Sequence, residues 1–107
     1  MSHHEEYDVV VLGSGAAGKL LAWTLASRGQ RVAVVERRYI GGACPNIACL
    51  PSKNIIQSAK VVSYFRRGPE FGISARDWKV DMAAVRGRKR TMVDGLIALH
   101  LDKYRES

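Results

Sequence analysis

The hexapeptide Gly13-Ser14-Gly15-Ala16-Ala17-Gly18 narrows the possible folds of this chain more than any other stretch. It follows a short β-branched run, Tyr7 to Leu12, which reads as a buried parallel strand. It opens an Ala- and Leu-rich segment, Ala16 to about Ser27, with the periodicity of a helix and Gly29 where a C-cap glycine belongs. Arg31 to Val35 is a second strand, ended by Glu36. Strand, G-x-G-x-x-G turn, helix and strand together form a β-α-β unit whose crossover is expected to be right-handed. In such a turn Gly13 makes the bend, Gly15 admits a pyrophosphate to the backbone, and Gly18 lets helix and strand approach. The helix N-terminus offers free N–H groups and a partial positive charge to a diphosphate. Glu36 follows Gly18 by 18 residues, where a carboxylate accepts hydrogen bonds from an adenosine ribose and disfavours a 2′-phosphate. The motif alone does not separate FAD from NAD, since both carry an ADP half. Arg37 adjoins Glu36 and falls within the candidate cofactor-binding set, although Arg37 and Arg38 read first as loop charges.

Beyond this unit, Arg37 to Ala43 is a loop and the pattern from Cys44 to about Phe65 is helical. Ile55, Ile56, Ala59, Val62 and Phe65 make its expected inward stripe. Pro45 is tolerable in a first turn, whereas Pro51 would disturb a regular helix. Arg66 to Val80 is irregular, broken by Gly68-Pro69 and Gly72, and Phe71 to Val80 is at best a weak strand. Asp81 is the expected N-cap of a last helix running to about Glu106, which Gly87 and Gly95 weaken by about 1 kcal/mol each. Two strands are fewer than a stable sheet needs. The expected class is α/β: a βαβ unit plus two long helices with an incomplete sheet.

The 107 residues fit one small domain, and 47% hydrophobic with 25% charged residues is ordinary for a globular protein. The net charge of +7 gathers late in the chain, in Arg66, Arg67, Arg76, Arg86, Arg88, Lys89 and Arg90. No aromatic residue stands among Arg86, Arg88, Lys89 and Arg90, so the tract reads as a solvated helix face rather than a nucleic-acid surface. The first 18 residues hold acids but no Lys or Arg, unlike a secretory signal, and Val9 to Leu12 is far too short to span a bilayer. No membrane or nucleic-acid partner is expected, and the expected compartment is the cytoplasm.

Cys44 and Cys49 are the only cysteines and stand five positions apart. In a regular helix they would lie about 7.5 Å apart along the axis and point about 140° away from each other. Disulfide Cα atoms are seldom more than about 6.8 Å apart. A bridge is therefore possible only where the helix is distorted or starts late, as Pro45 and Pro51 favour, and it would be easily reduced. Structural zinc needs four ligands, and there is no second cysteine pair. Two inert thiols would leave Gly41-Gly42 and Pro51-Ser52-Lys53 unexplained.

The run Gly41-Gly42-Ala43-Cys44-Pro45-Asn46-Ile47-Ala48-Cys49-Leu50-Pro51-Ser52-Lys53 matches G-G-x-C-x-N-x-x-C-x-P-S-K. On this signature and the Gly13–Gly18 turn, the chain resembles the N-terminus of the class I pyridine nucleotide-disulfide oxidoreductases, which include dihydrolipoamide dehydrogenase, glutathione reductase and mercuric reductase. The resemblance runs from Tyr7 through the last helix and implies the N-terminal portion of a Rossmann-like FAD-binding domain. It places FAD on Gly13, Ser14, Gly15, Ala16, Ala17 and Gly18, with Glu36, Arg37, Gly42 and Ala43 around it. It implies Cys49 as the charge-transfer thiolate against the flavin and Cys44 as the interchange thiol that attacks substrate. Lys53 would stand near the reactive edge of the isoalloxazine. Electrons would pass from NAD(P)H through FAD to a Cys44–Cys49 redox disulfide and on to a small-molecule, disulfide or metal-ion substrate.

Pro45 after Cys44 and Ile47-Ala48 before Cys49 are most similar to the mercuric-reductase branch. Three departures stand out: Ala43 for the usual threonine, Ala48 for the usual glycine, and Pro45, which removes a backbone donor. The resemblance implies that the rest of the FAD domain, a nicotinamide domain and a homodimer interface domain follow this segment. The 107 residues alone are then expected to show little NAD(P)H-dependent turnover and weak FAD affinity. His100 is expected to pack on the last helix rather than act in catalysis. The alternatives are an autonomous minimal dinucleotide-binding module without catalysis, or a small thiol-based metal or redox carrier.

Overall fold

A computed structural model describes residues 2–107. Strand β1 (Val9–Leu12) is followed by helix α1 (Ala16–Ser27) and strand β2 (Val32–Val35). The two strands pair in parallel, from Val9 opposite Val32 to Leu12 opposite Val35. Each is slightly shorter than the sequence pattern. Tyr7, Asp8 and Arg31 fall outside because Asp8 and Arg31 close the end of the pair instead. The Asp8 N–H donates to the Arg31 carbonyl and the Arg31 N–H to the Asp8 carboxylate, both at 2.8 Å. The Gly29 N–H bonds the Ala26 carbonyl at 2.9 Å and the Gln30 N–H the Leu25 carbonyl at 3.2 Å, the paired C-terminal closure of a helix. At Gly18 a Cβ would run into the Gly13 carbonyl oxygen and crowd the Val11 side chain. Close helix–strand approach is what requires the glycine there.

The helix expected from Cys44 to Phe65 is two helices: α2 (Ala43–Asn46) and α3 (Cys49–Arg66). Pro51 accounts for the break. It is the third residue of α3, within the first turn, where backbone N–H groups have no intrahelical acceptor. The chain satisfies proline by starting a new helix just before it. Ala48, with φ −123° and ψ −99°, turns out of helical geometry. The Ile47 and Ala48 N–H groups close α2 on the Ala43 carbonyl, and the Ser52 N–H reaches back to Ala48.

A 3-10 turn at Gly68–Phe71 and an irregular passage lead to α4 (Met82–Glu106). Phe71 to Val80 forms no strand. Asp81 caps α4, its carboxylate accepting from the Ala84 N–H at 3.1 Å. The sheet of the described residues has two strands, and the fold is mixed α/β.

The body is long, 68 × 30 × 19 Å, with a Cα radius of gyration of 20.5 Å. A compact domain of about 100 residues would have roughly 13 Å. Val11, Ala22 and Val93 form the buried apolar core. The stripe expected to face inward on α3 does not: Ile55, Ile56, Ala59 and Phe65 are exposed, and only Val62 is half-buried. The side of α3 that meets α4 is polar instead. Arg88 reaches across to the Asn54 carbonyl at 3.1 Å and the Ser58 hydroxyl at 3.3 Å. Apolar residues of α3 and α4 line an open groove with Trp78, which stacks on Phe65 at 6.0 Å between ring centroids. At the other end of α4, Trp23 of α1 packs on His100 at 5.8 Å and on Tyr104 at 5.4 Å. No helix of the described residues is long and apolar enough to cross a membrane.

The Gly18→Ala substitution should destabilise the βαβ unit by about 1–3 kcal/mol, the usual cost of overpacking. Thermal unfolding followed by circular dichroism checks this, and an unchanged midpoint would contradict the close approach.

Candidate functional site

Ser14 is fully buried at the centre of the site. Its N–H donates to Glu36 Oε2 at 2.7 Å and its hydroxyl to the same oxygen at 2.8 Å. The Ser14 oxygen in turn accepts from the Gly41 N–H at 3.0 Å. Glu36 Oε1 receives the N–H groups of Arg38 at 3.1 Å and Tyr39 at 3.2 Å. The Ser14 N–H is the largest influence holding the Glu36 carboxyl at a pKa of about 2; the Ser14 hydroxyl and the Arg38 N–H follow. One carboxylate thus clamps the glycine turn to the loop after β2.

Ser14 has both its donors engaged by Glu36, so in this structure its bonds are internal. Glu36 stands at the end of β2 as expected, but four donors of the chain itself occupy its oxygens, so a ribose hydroxyl would have to replace one. The rest of the turn fits a diphosphate. No side chain caps α1, and the space a Cβ would take at Gly13 or Gly15 is open. Ala16 and Ala17 are exposed at the helix start. The cradle residues suit the pyrophosphate of a dinucleotide such as FAD.

The cysteine loop lies directly on this cradle. Gly42 has φ +87°, and a Cβ there would lie 2.6 Å from the Gly15 Cα. Backbone rests on backbone, which only glycine allows. Asn46 fixes the loop from within: its Nδ2 donates to the Ile40 carbonyl at 2.8 Å and the Gly42 carbonyl at 2.7 Å. Asn46 belongs to the cysteine signature, yet the sequence pattern alone gives it no task. Its place four residues after Gly42 is the signal that could have found it.

Cys44 lies in α2 and Cys49 is the first residue of α3. Both are exposed free thiols. The break at Ile47-Ala48 places Cys44 and Cys49 on two separate helices, so the spacing of one regular helix does not govern them. The neighbouring Cys49 thiol is the largest influence raising the Cys44 pKa. Partial burial adds to it, and the cations Lys53 and Lys19 oppose it. Lys53 is exposed one turn beyond Cys49 on α3, Ala43 is exposed beside Cys44, and Arg37 is exposed after Glu36. Lys19, the residue after Gly18, is a site residue that the motifs do not single out. Its ammonium donates to the Gly41 carbonyl at 3.4 Å and lies 2.9 Å from His100 Nε2. The structure therefore joins the cradle, Glu36, the Gly41-Gly42 loop and the two thiols into one site. Among the described residues no group of three or more His, Cys, Asp or Glu side chains could hold a metal ion.

A family model described as pyridine nucleotide-disulphide oxidoreductase matches residues 7–105. Dihydrolipoyl dehydrogenase of Chlamydia pneumoniae is 39% identical over 92 residues, 86% of this chain and 20% of the relative. The Bacillus subtilis enzyme of the same name is 39% identical over 93 residues, 87% of this chain and 20% of the relative. Among solved structures, the Cu(II) complex of the HOCl-induced flavoprotein disulfide reductase RclA from Escherichia coli superposes with a TM-score of 0.74 at 30% identity. The match covers 94% of this chain and 19% of that one. The chain spans about a fifth of the length of the curated relatives it matches.

The Glu36 clamp has a definite pH signature. Its folded pKa, about 2, lies below the ordinary 4.5. Its stabilisation is therefore complete above the ordinary value and lost as pH falls from there towards about 2. Hydrogen exchange at the Ser14 amide should accelerate over that window relative to a reference amide, and the Glu36→Gln variant should show fast exchange already at neutral pH.

Proposed function

The chain belongs to the pyridine nucleotide-disulphide oxidoreductase family, and from that premise we propose that it carries the dithiol and the cofactor cradle of a flavoprotein disulfide reductase. The observation that carries this reading is the Gly42–Gly15 contact, which seats the Cys44–Cys49 loop on the turn built for a diphosphate. FAD would be held by the free N–H groups at Gly15 to Gly18. Its ribose would meet Glu36 once one present donor gives way, with Arg37, Gly42 and Ala43 flanking. When bound, the flavin supplies two-electron transfer from NAD(P)H to the sulfur pair. Lys53 would place its charge near the ring, and Cys49 would be the sulfur nearest to it.

The thiol chemistry needs only groups of this chain. Cys44, as thiolate, attacks one sulfur of a substrate disulfide; that S–S bond breaks, a mixed disulfide forms on Cys44, and a thiolate leaves. The Cys49 thiolate then attacks the Cys44 sulfur. The Cys44–Cys49 bond forms and the second substrate thiolate departs, each leaving thiolate taking up a proton. The pair has been oxidised by two electrons and the substrate reduced by two. A thiol-binding metal ion is the other substrate class that two adjacent sulfurs suit, and a mercuric-reductase-like specificity belongs there. The full protein would be a cytoplasmic homodimer acting on a small-molecule substrate, with no nucleic-acid or membrane partner. A binding module with incidental cysteines would leave the Asn46-braced loop and the paired thiols without a purpose.

Under the thiol oxidant diamide the chain should form an intramolecular Cys44–Cys49 disulfide, read by mass spectrometry. With a small aromatic disulfide reagent, Cys49→Ser should accumulate a stable mixed disulfide on Cys44. Failure of the intramolecular bond to form while both thiols react singly would overturn the reading.

A further inference from the structure

His100 is a half-buried residue of α4 that meets two other parts of the chain at its ring. Its own helix sets the tautomer. Nδ1 lies 2.7 Å from the Leu96 carbonyl, which only accepts, so Nδ1 carries the proton and Nε2 offers its lone pair. The Lys19 ammonium of α1 takes that lone pair at 2.9 Å. The same ammonium donates to the Gly41 carbonyl at 3.4 Å, at the start of the cysteine loop. Gly41 is itself buried against the ring: a Cβ there would lie 3.0 Å from His100 Cδ2 and 3.1 Å from Nε2. Trp23, one turn beyond Lys19 on α1, packs on His100 with ring centroids 5.8 Å apart. Two helices and the cysteine loop therefore meet at one imidazole.

We propose that His100 is a pH-sensitive latch on the cysteine loop: neutral, it accepts from Lys19 and ties α4 and α1 to Gly41; protonated, it lets go. The latch goes beyond the thiol chemistry and stands on these contacts without it. Nδ1 is committed to Leu96, so a second proton enters at Nε2. That proton removes the acceptor Lys19 uses and sets one cation 2.9 Å from another. Histidine is the side chain that changes charge between pH 5 and 8, whereas a lysine keeps its proton there. The surrounding groups do not compensate. The loop brings Gly41 to the ring and α2 packs Pro45 beside Gly41, neither of them titratable. The Cys44 thiol of α2, whose pKa the neighbouring Cys49 raises, is neutral over this range. Tyr104 of α4 shares Trp23 with His100, and burial raises its pKa, so it is neutral too. Asp102 pairs with Arg105, and Lys103 is exposed. Glu36 keeps its charge, with a pKa of about 2, but four donors of the chain already occupy it. Among the described residues no carboxylate bonds the His100 ring, so nothing holds an imidazolium beside Lys19.

The test is amide hydrogen exchange on the full 107-residue chain at pH 8 and pH 5, read residue by residue by mass spectrometry and corrected for intrinsic rates. The Gly41 amide, which donates to the Ser14 hydroxyl, reports the loop. The Ser14 amide is the internal reference, because the Glu36 carboxylate that holds it titrates well below this range. Relative to Ser14, Gly41 should lose protection roughly threefold on going from pH 8 to pH 5, the weight of one modest hydrogen bond. His100→Gln supplies a side-chain oxygen that accepts from Lys19 and takes no proton, so its Gly41 protection should stay constant. Lys19→Met removes donor and cation together, so Gly41 should be less protected already at pH 8 and change little on acidification. A constant ratio in the wild-type chain overturns the inference, and so does an equal loss in His100→Gln. If one variant does not fold, the wild-type ratio and the other variant decide.

Discussion

Four donors on one carboxylate hold this site together. Glu36 receives the Ser14 N–H and hydroxyl on one oxygen and two loop N–H groups on the other. Charge-assisted hydrogen bonds of this kind are shorter and roughly twice as strong as neutral ones. Through them the end of β2 is fastened to the glycine turn, and through the Ser14 oxygen the turn is fastened to Gly41. This bracket helps to hold the cysteine loop where Gly42 touches Gly15. The geometry of the thiols is therefore set by a polar network more than by apolar packing.

That division matters because the apolar core is so slight. Its buried side chains are Val11, Ala22 and Val93, and α3 presents Ile55, Ile56 and Phe65 to the exterior. A body with this little core would ordinarily leave a functional loop loosely placed. Here the loop is braced locally by Asn46 on two carbonyls, by Ser14 on the Gly41 amide, and by Lys19 on the Gly41 carbonyl. Each brace spans few atoms and works without a deep interior. The exposed stripe on α3 and the open groove beside Trp78 lie on a different part of the molecule from these braces.

The βαβ unit was legible because its determinants are local. Gly13 to Gly18, the helix to Ser27 and the strand ending at Glu36 each follow from neighbouring residues, as does the Asp81 cap of α4. For the thiols only a condition was legible: five positions in a regular helix keep two sulfurs apart, and here Pro51 goes with a new helix that begins at Cys49. What could not be read was the partner of each polar group. Nothing in Ser14 announces that Glu36 will take both its donors, since the two are 22 positions apart. Nothing in Lys19 announces His100, 81 positions away. The α3 stripe misled for a related reason. Periodicity says which residues share a face of a helix, and only the tertiary arrangement says whether anything covers that face.

The same contrast explains why the two halves of the site differ in what a ligand would change. The cradle is already open: no side chain caps α1 and no Cβ fills the space over Gly15. A diphosphate could enter without displacing any bond of the chain. The Glu36 carboxylate is closed, because its four hydrogen bonds are internal and hold its pKa at about 2. Binding a nucleoside there means exchanging a backbone donor for a ribose hydroxyl on the same oxygen. The donor given up would be that of Ser14, Arg38 or Tyr39, and Ser14 is the residue that also holds Gly41. Ser14 thus joins Glu36 to the cysteine loop through two hydrogen bonds, one to the carboxylate and one from the Gly41 amide.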